Sequence, residues 1–145
     1  MSTEFTTEEL QNILISTHSY KELTNYLKEN TIPDSNLSFS FAFQSLLAQH
    51  NLKISDVVRN SNLDRTYAYQ AINGSRNPSK DKILSLGIAA KLTLKEIQRL
   101  LECAGAAILY SRSSRDAVII YGIENHLSLM CINDMLLEIN EKIIQ

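Results

Sequence analysis

The sequence predicts an all-α fold, on three observations. Only 4 Gly and 2 Pro occur in 145 residues, too few turn-formers for a many-stranded architecture. Apolar residues recur at helical spacing along most of the chain. Helix-starting residues such as Asp64, Ser79, Thr93 and Ser128 precede the stripes, and Asn51, Gly74 and Gly105 follow them. Hydrophobic residues at 44% and charged residues at 21% mark a globular chain, long enough for one substantial core.

Thr7, followed by Glu8 and Glu9, predicts an N-cap with acids in the first turn, and Leu10, Ile13 and Leu14 form the stripe. Ser19 and Glu22 form a capping box ahead of Tyr20, Leu23, Tyr26 and Leu27, and residues 30–37 read as a loop. Residues 39–49 follow as a helix, with Phe43, Leu46 and Leu47 inward and Asn51 as a left-handed end. A short helix over 54–61 turns Val57 and Val58 inward. Asn62 suits a left-handed turn, and Leu63 plugs the core.

Asp64 caps a helix over 65–73 that Gly74 ends, because a residue without Cβ takes positive φ freely. Ser79 opens a helix to about residue 90, carrying Ile83, Leu84, Leu86 and Ile88. Thr93 and Glu96 form a second capping box, for a helix that stops at Gly105. Ser114 and Asp116 open the next, in which the run 118–120 also has strand character. Ser128 opens the last, with Met135, Leu136, Ile139 and Ile143. No tandem repeat or low-complexity tract stands out.

Several function classes lack a signal. The N-terminus has no charged region followed by an apolar run, and no 18 apolar residues run together, so neither a signal peptide nor a membrane span is expected and a cytoplasmic protein is. Cys103 and Cys131 form no CxxC pair and lie in apolar stretches, as buried free thiols do. His18, His50 and His126 are isolated, so no metal site is expected. Catalytic and cofactor motifs are absent, and neither an enzyme nor a cofactor is expected.

The net charge is −2, yet residues 52–91 carry 7 Lys+Arg against 3 Asp+Glu, while both flanks are acidic. Within this basic stretch the helix 65–73 has two faces. Tyr67, Ala68, Ala71 and Ile72 share one, and the two alanines permit close packing. Arg65, Thr66, Tyr69, Gln70 and Asn73 share the other. Two short helices joined by a turn at 61–64 make a helix-turn-helix, whose second helix can present its N-terminal residues to a DNA major groove.

Residues 43–104 resemble the helix-turn-helix domain of the lambda-repressor-like, Xre-type family of bacterial and phage DNA-binding proteins. The stretch LKISDVVRNSNLD at 52–64 and RTYAYQAINGSRNPS at 65–79 carry the likeness, which covers a little under half of the chain. It implies a five-helix core, with extra N-terminal and C-terminal helices here. It also implies a sequence-specific transcriptional regulator whose partner is double-stranded DNA. Arg65, Thr66 and Gln70 fall where the family reads base edges. Arg can pair with guanine and Gln with adenine, and Tyr69 points outward beside them. Asn73, Ser75 and Arg76 fall where the family touches phosphate, and Lys80 follows at the next helix start. Where the family has a hydroxyl cap followed by glutamine, this chain has Lys53 and Ile54. Lys53 can meet phosphate, whereas Ile54 suits a protein contact.

Three regions are expected: an acidic helical extension over 1–37, the DNA-binding domain over 38–109, and a helical segment over 110–145. The last is rich in Ile, Leu and Met, and either packs on the core or pairs two copies of the chain. A protein-interaction adaptor or antitoxin-like module that keeps this fold is the rival expectation.

Overall fold

The computed structural model describes residues 6–16 and 38–145, and it is helical throughout, with no strand among the described residues. Among the described residues there are eight helices: α1 (Thr7–Ser16), α2 (Phe39–Gln49), α3 (Ile54–Asn60), α4 (Arg65–Asn73), α5 (Lys80–Ala89), α6 (Leu94–Cys103), α7 (Ser114–Glu124) and α8 (Leu129–Glu138). The chain divides into two compact units, residues 1–34 and 35–145. In the first, Thr6 rather than Thr7 caps α1, accepting from Glu9 N–H at 3.2 Å. The predicted capping box at Ser19 and the loop at 30–37 lie outside the described residues.

In the larger unit most predicted caps hold. Asp64 accepts from Tyr67 N–H, Thr93 and Glu96 bond reciprocally, and Ser128 accepts from Cys131 N–H. Asn51, Asn62, Gly74 and Gly105 all take positive φ. The cap of α7 is Ser113, one residue before the expected Ser114. Ser79 occupies the cap position of α5 without a side-chain bond. The run 118–120 is helical, because it continues a capped helix and has no partner strand. The last helix stops at Glu138. Residues 139–145 then fold back, with Ile144 buried and Ile139 exposed.

Phe43, Leu47, Val57, Ala68, Ala71, Ile72, Ile83, Leu84, Leu86, Leu100 and Leu101 share one core, in which α2 packs on α4 and α6, and α3 on α4 and α5. The cysteines depart from expectation. Cys103 is half-buried and Cys131 exposed, because each faces away from the apolar stripe of its helix.

The structure also corrects the absence of a repeat. Residues 79–110 and 114–145 are two copies of one helical hairpin, thirty-five positions apart. Gln98 donates to Leu109 C=O and accepts its N–H, at 2.9 and 2.7 Å. Asn133 makes the same pair with Ile144 at 3.2 and 2.8 Å. Lys91 and His126 take matching left-handed turns, as do Gly105 and Asn140. Gly87 admits Ile97 against its backbone, and Gly122 admits Ile132. Only 9 of the 32 aligned positions are identical, which is why the sequence hides the repeat.

A local two-fold relates the copies. Lys80 pairs with Asp116 at 3.3 Å, and their counterparts Arg115 and Asp81 pair at 3.0 Å in the reverse sense. Tyr110 N–H donates to Asp116, and Gln145 N–H donates to Asp81. Helix α6 packs on α7 just as α8 packs on α5. Each hairpin therefore contributes one cation and one carboxylate to the seam.

Candidate nucleic-acid interface

Helix α4 is short, so its ends decide its orientation. At its start, Asn62 turns the chain with φ 59°, and buried Ser61 donates to Val58 C=O at 2.7 Å. At its end, Gly74 takes φ 95°, and its N–H bonds to Gln70 C=O. The Ile72 carbonyl there accepts from Ser40 Oγ at 2.7 Å and Gln44 Nε2 at 2.8 Å, both on α2. These bonds satisfy a helix-terminal acceptor and fasten α4 to α2. Ala68, Ala71 and Ile72 are buried, so the opposite face must point outward.

That outward face carries the predicted residues. Arg65, Thr66 and Asn73 are exposed, and Tyr69 and Gln70 are half-buried. The Arg65 guanidinium lies 5.8 Å from the Tyr69 ring centre, so the ring supports the cation while leaving its other side open. Arg76 Nε donates to Gln70 Oε1 at 2.8 Å, which holds both side chains in one orientation. Asn73 Oδ1 accepts from the N–H and the hydroxyl of Ser75, at 2.9 and 2.7 Å. The structure thus brings Arg65, Thr66, Tyr69, Gln70, Asn73, Ser75 and Arg76 onto or beside one helix.

Two predicted phosphate residues stand differently. Lys53 is exposed at the N-cap of α3 with no side-chain cap bond, and Ile54 beside it is also exposed. Lys80 is half-buried, with its ammonium on Asp116 and 3.5 Å from Ile108 C=O, so it is engaged inside the fold.

The residues that sequence reasoning missed are Tyr67 and Lys82. Tyr67 is half-buried rather than fully inside. Arg76 and Lys82 both lie over its ring, at 5.7 and 5.6 Å. Two cations gathered on one ring repel each other, and an anion nearby would relieve that repulsion. The signal for Tyr67 was present in part, since it sits at the edge of the apolar face next to Gln70. Lys82 becomes adjacent only through the turn at Gly74.

Among the described residues no group of His, Cys, Asp and Glu could hold a metal, and no helix is long and apolar enough to cross a membrane. No protein-family model, curated protein or solved structure matches the chain.

Proposed function

We propose that the protein is a sequence-specific DNA-binding regulator of lambda-repressor-like type, with α4 in the major groove. One observation carries the reading. A helix anchored by small buried residues turns Arg65, Thr66, Gln70 and Asn73 outward, and Arg76 and Lys82 gather positive charge at its end. Base-edge contacts would come from Arg65, Thr66, Tyr69 and Gln70. Phosphate contacts would come from Lys53, Asn73, Ser75, Arg76 and Lys82. Because Gln70 Oε1 already accepts from Arg76, its amide nitrogen is the freer end and favours an acceptor on the base.

Selection from a randomised duplex pool at two salt concentrations tests this. An enriched motif whose affinity falls with salt is the expected result. Arg65→Ala or Gln70→Ala should then cost about 1–3 kcal/mol at the preferred site. Arg76→Ala should weaken all sequences alike and lower the salt slope by about 1. Folded protein that enriches nothing would defeat the reading.

The adaptor reading is favoured by different observations. Ile54 is an exposed apolar residue where the resemblance implies a polar one, and Tyr121, Met130 and Leu137 are exposed on α7 and α8. Absent DNA binding in a folded chain would transfer the weight to it.

A further inference from the structure

The two hairpins carry equivalent outer grooves, and they are covered differently. On the first hairpin, α3 packs on α5 and α2 on α6, and Ile83, Leu86 and Leu100 are fully buried. Glu96, at the edge, bonds His50 at the end of α2 at 2.7 Å. On the second hairpin the matching positions are Val118, Tyr121, Met135 and Cys131. Val118 and Met135 are only half-buried, Cys131 is exposed, and Tyr121 is 56% exposed. The floor has kept its apolar character, and among the described residues it lacks comparable cover.

The charges around this groove select its occupant. Asp134 and Glu138 lie on the exposed side of α8, between Met130 and Cys131 around the helix. Both acids are exposed, and neither makes an ion pair among the described residues. Pairing this face with the same face of a second copy would bring two acidic rims together, which repel. A helix with basic residues beside an apolar stripe meets both the floor and the rim.

We propose that the α7–α8 groove binds a basic amphipathic helix of a protein partner, seated on Val118, Tyr121 and Met135 in the place that α2 and α3 take on the first hairpin. The inference does not depend on DNA binding by α4.

The test uses the full chain, labelled for NMR, and two synthetic peptides. The first is the segment Ser38–His50 with Gln44→Lys, Ser45→Lys and Gln49→Lys, which keeps the α2 stripe of Phe39, Phe43, Leu46 and Leu47 and adds a basic flank. The second carries Glu at the same three positions. The lysine peptide should bind saturably and shift residues 118–139, with affinity that falls as salt rises. The glutamate peptide should bind about tenfold more weakly or worse. Tyr121→Lys should weaken the lysine peptide by about tenfold or more while leaving the melting transition and the DNA affinity unchanged. Absent saturable binding, shifts outside 118–139, equal binding of both peptides, or a concentration-dependent dimer lost in Tyr121→Lys would each overturn the proposal. Loss of DNA affinity in Arg65→Ala reports on α4 alone, so the two readings fail separately.

Discussion

The first hairpin, α5–α6, and the second, α7–α8, share a backbone plan and differ in what lies on them. Both are closed by a glycine facing an isoleucine, by a left-handed turn, and by a doubly bonded amide side chain. Those features are internal to a hairpin and survive in both copies. The residues that diverge are the ones that meet neighbours. Leu86 is buried and its counterpart Tyr121 is exposed. Glu96 caps α6 and holds His50, whereas its counterpart Cys131 has no such bond to α2. The comparison separates what makes the hairpin fold from what makes it useful to another element.

The largest expected effect breaks the comparison at its centre. Leu86→Ala removes a side chain with no exposure and leaves a cavity in the core, costing about 2–5 kcal/mol. Tyr121→Ala, at the same place on the second hairpin, should stay within about 0.5 kcal/mol because the ring is largely in water. Urea denaturation of both variants checks this. Equal losses would mean that the second groove is covered in solution.

The next effect tests the seam. Asp116 has a side chain only 9% exposed, and its carboxylate accepts from Lys80 and Tyr110 N–H, while its own backbone N–H donates to Ser113 Oγ at the start of α7. Its counterpart Asp81 is more open, at 21%. Asp116→Ala leaves the Lys80 ammonium half-buried without its partner, costing about 3 kcal/mol. Asp81→Ala should cost about 1 kcal/mol, because Arg115 keeps its bonds to Lys142 C=O and Ile143 C=O. The difference between the two denaturation midpoints is the measurement. If Asp81→Ala proved as damaging as Asp116→Ala, the two ion pairs would be equivalent in energy as well as in position.

Local features were legible in the sequence because each needs only neighbours in the chain. A capping box needs Thr93 and Glu96 three residues apart, and a left-handed end needs Asn or Gly after a stripe. The outward face of α4 followed from the same arithmetic, since Ala68 and Ala71 mark the buried side. What depended on distant contacts was hidden. Lys80 looked free until Asp116 was placed beside it across the two-fold. Lys82 joined Tyr67 only after the Gly74 turn returned the chain. The repeat was masked because its two copies have different neighbours, so Leu86 and Tyr121, or Glu96 and Cys131, no longer look alike.

The smallest effect is a dependence on pH confined to the covered hairpin. Burial pushes the Glu96 carboxyl up, but it is outweighed by the hydrogen bond from Thr93 N–H, that with the His50 side chain, the bond with the Thr93 side chain, and the charge of His50, so its pKa lies below the ordinary value. A carboxylate depressed in the folded state contributes stability above its unfolded pKa, about 4.3. That contribution is lost as pH falls through the lower, folded value. Glu96→Gln removes the charge but keeps a side-chain oxygen for Thr93 N–H, and should cost about 0.5 kcal/mol at neutral pH, as loss of a partly exposed ion pair does. The quantity to follow is the stability difference between wild type and Glu96→Gln from pH 7 down to pH 3. It should shrink as Glu96 takes up its proton, and the Cys131→Ala variant in the second hairpin should show no such change. A difference constant across the range would mean that Glu96 acts through its shape and not its charge. The His50 link would then be a contact and not the electrostatic tie between α2 and the hairpin it covers.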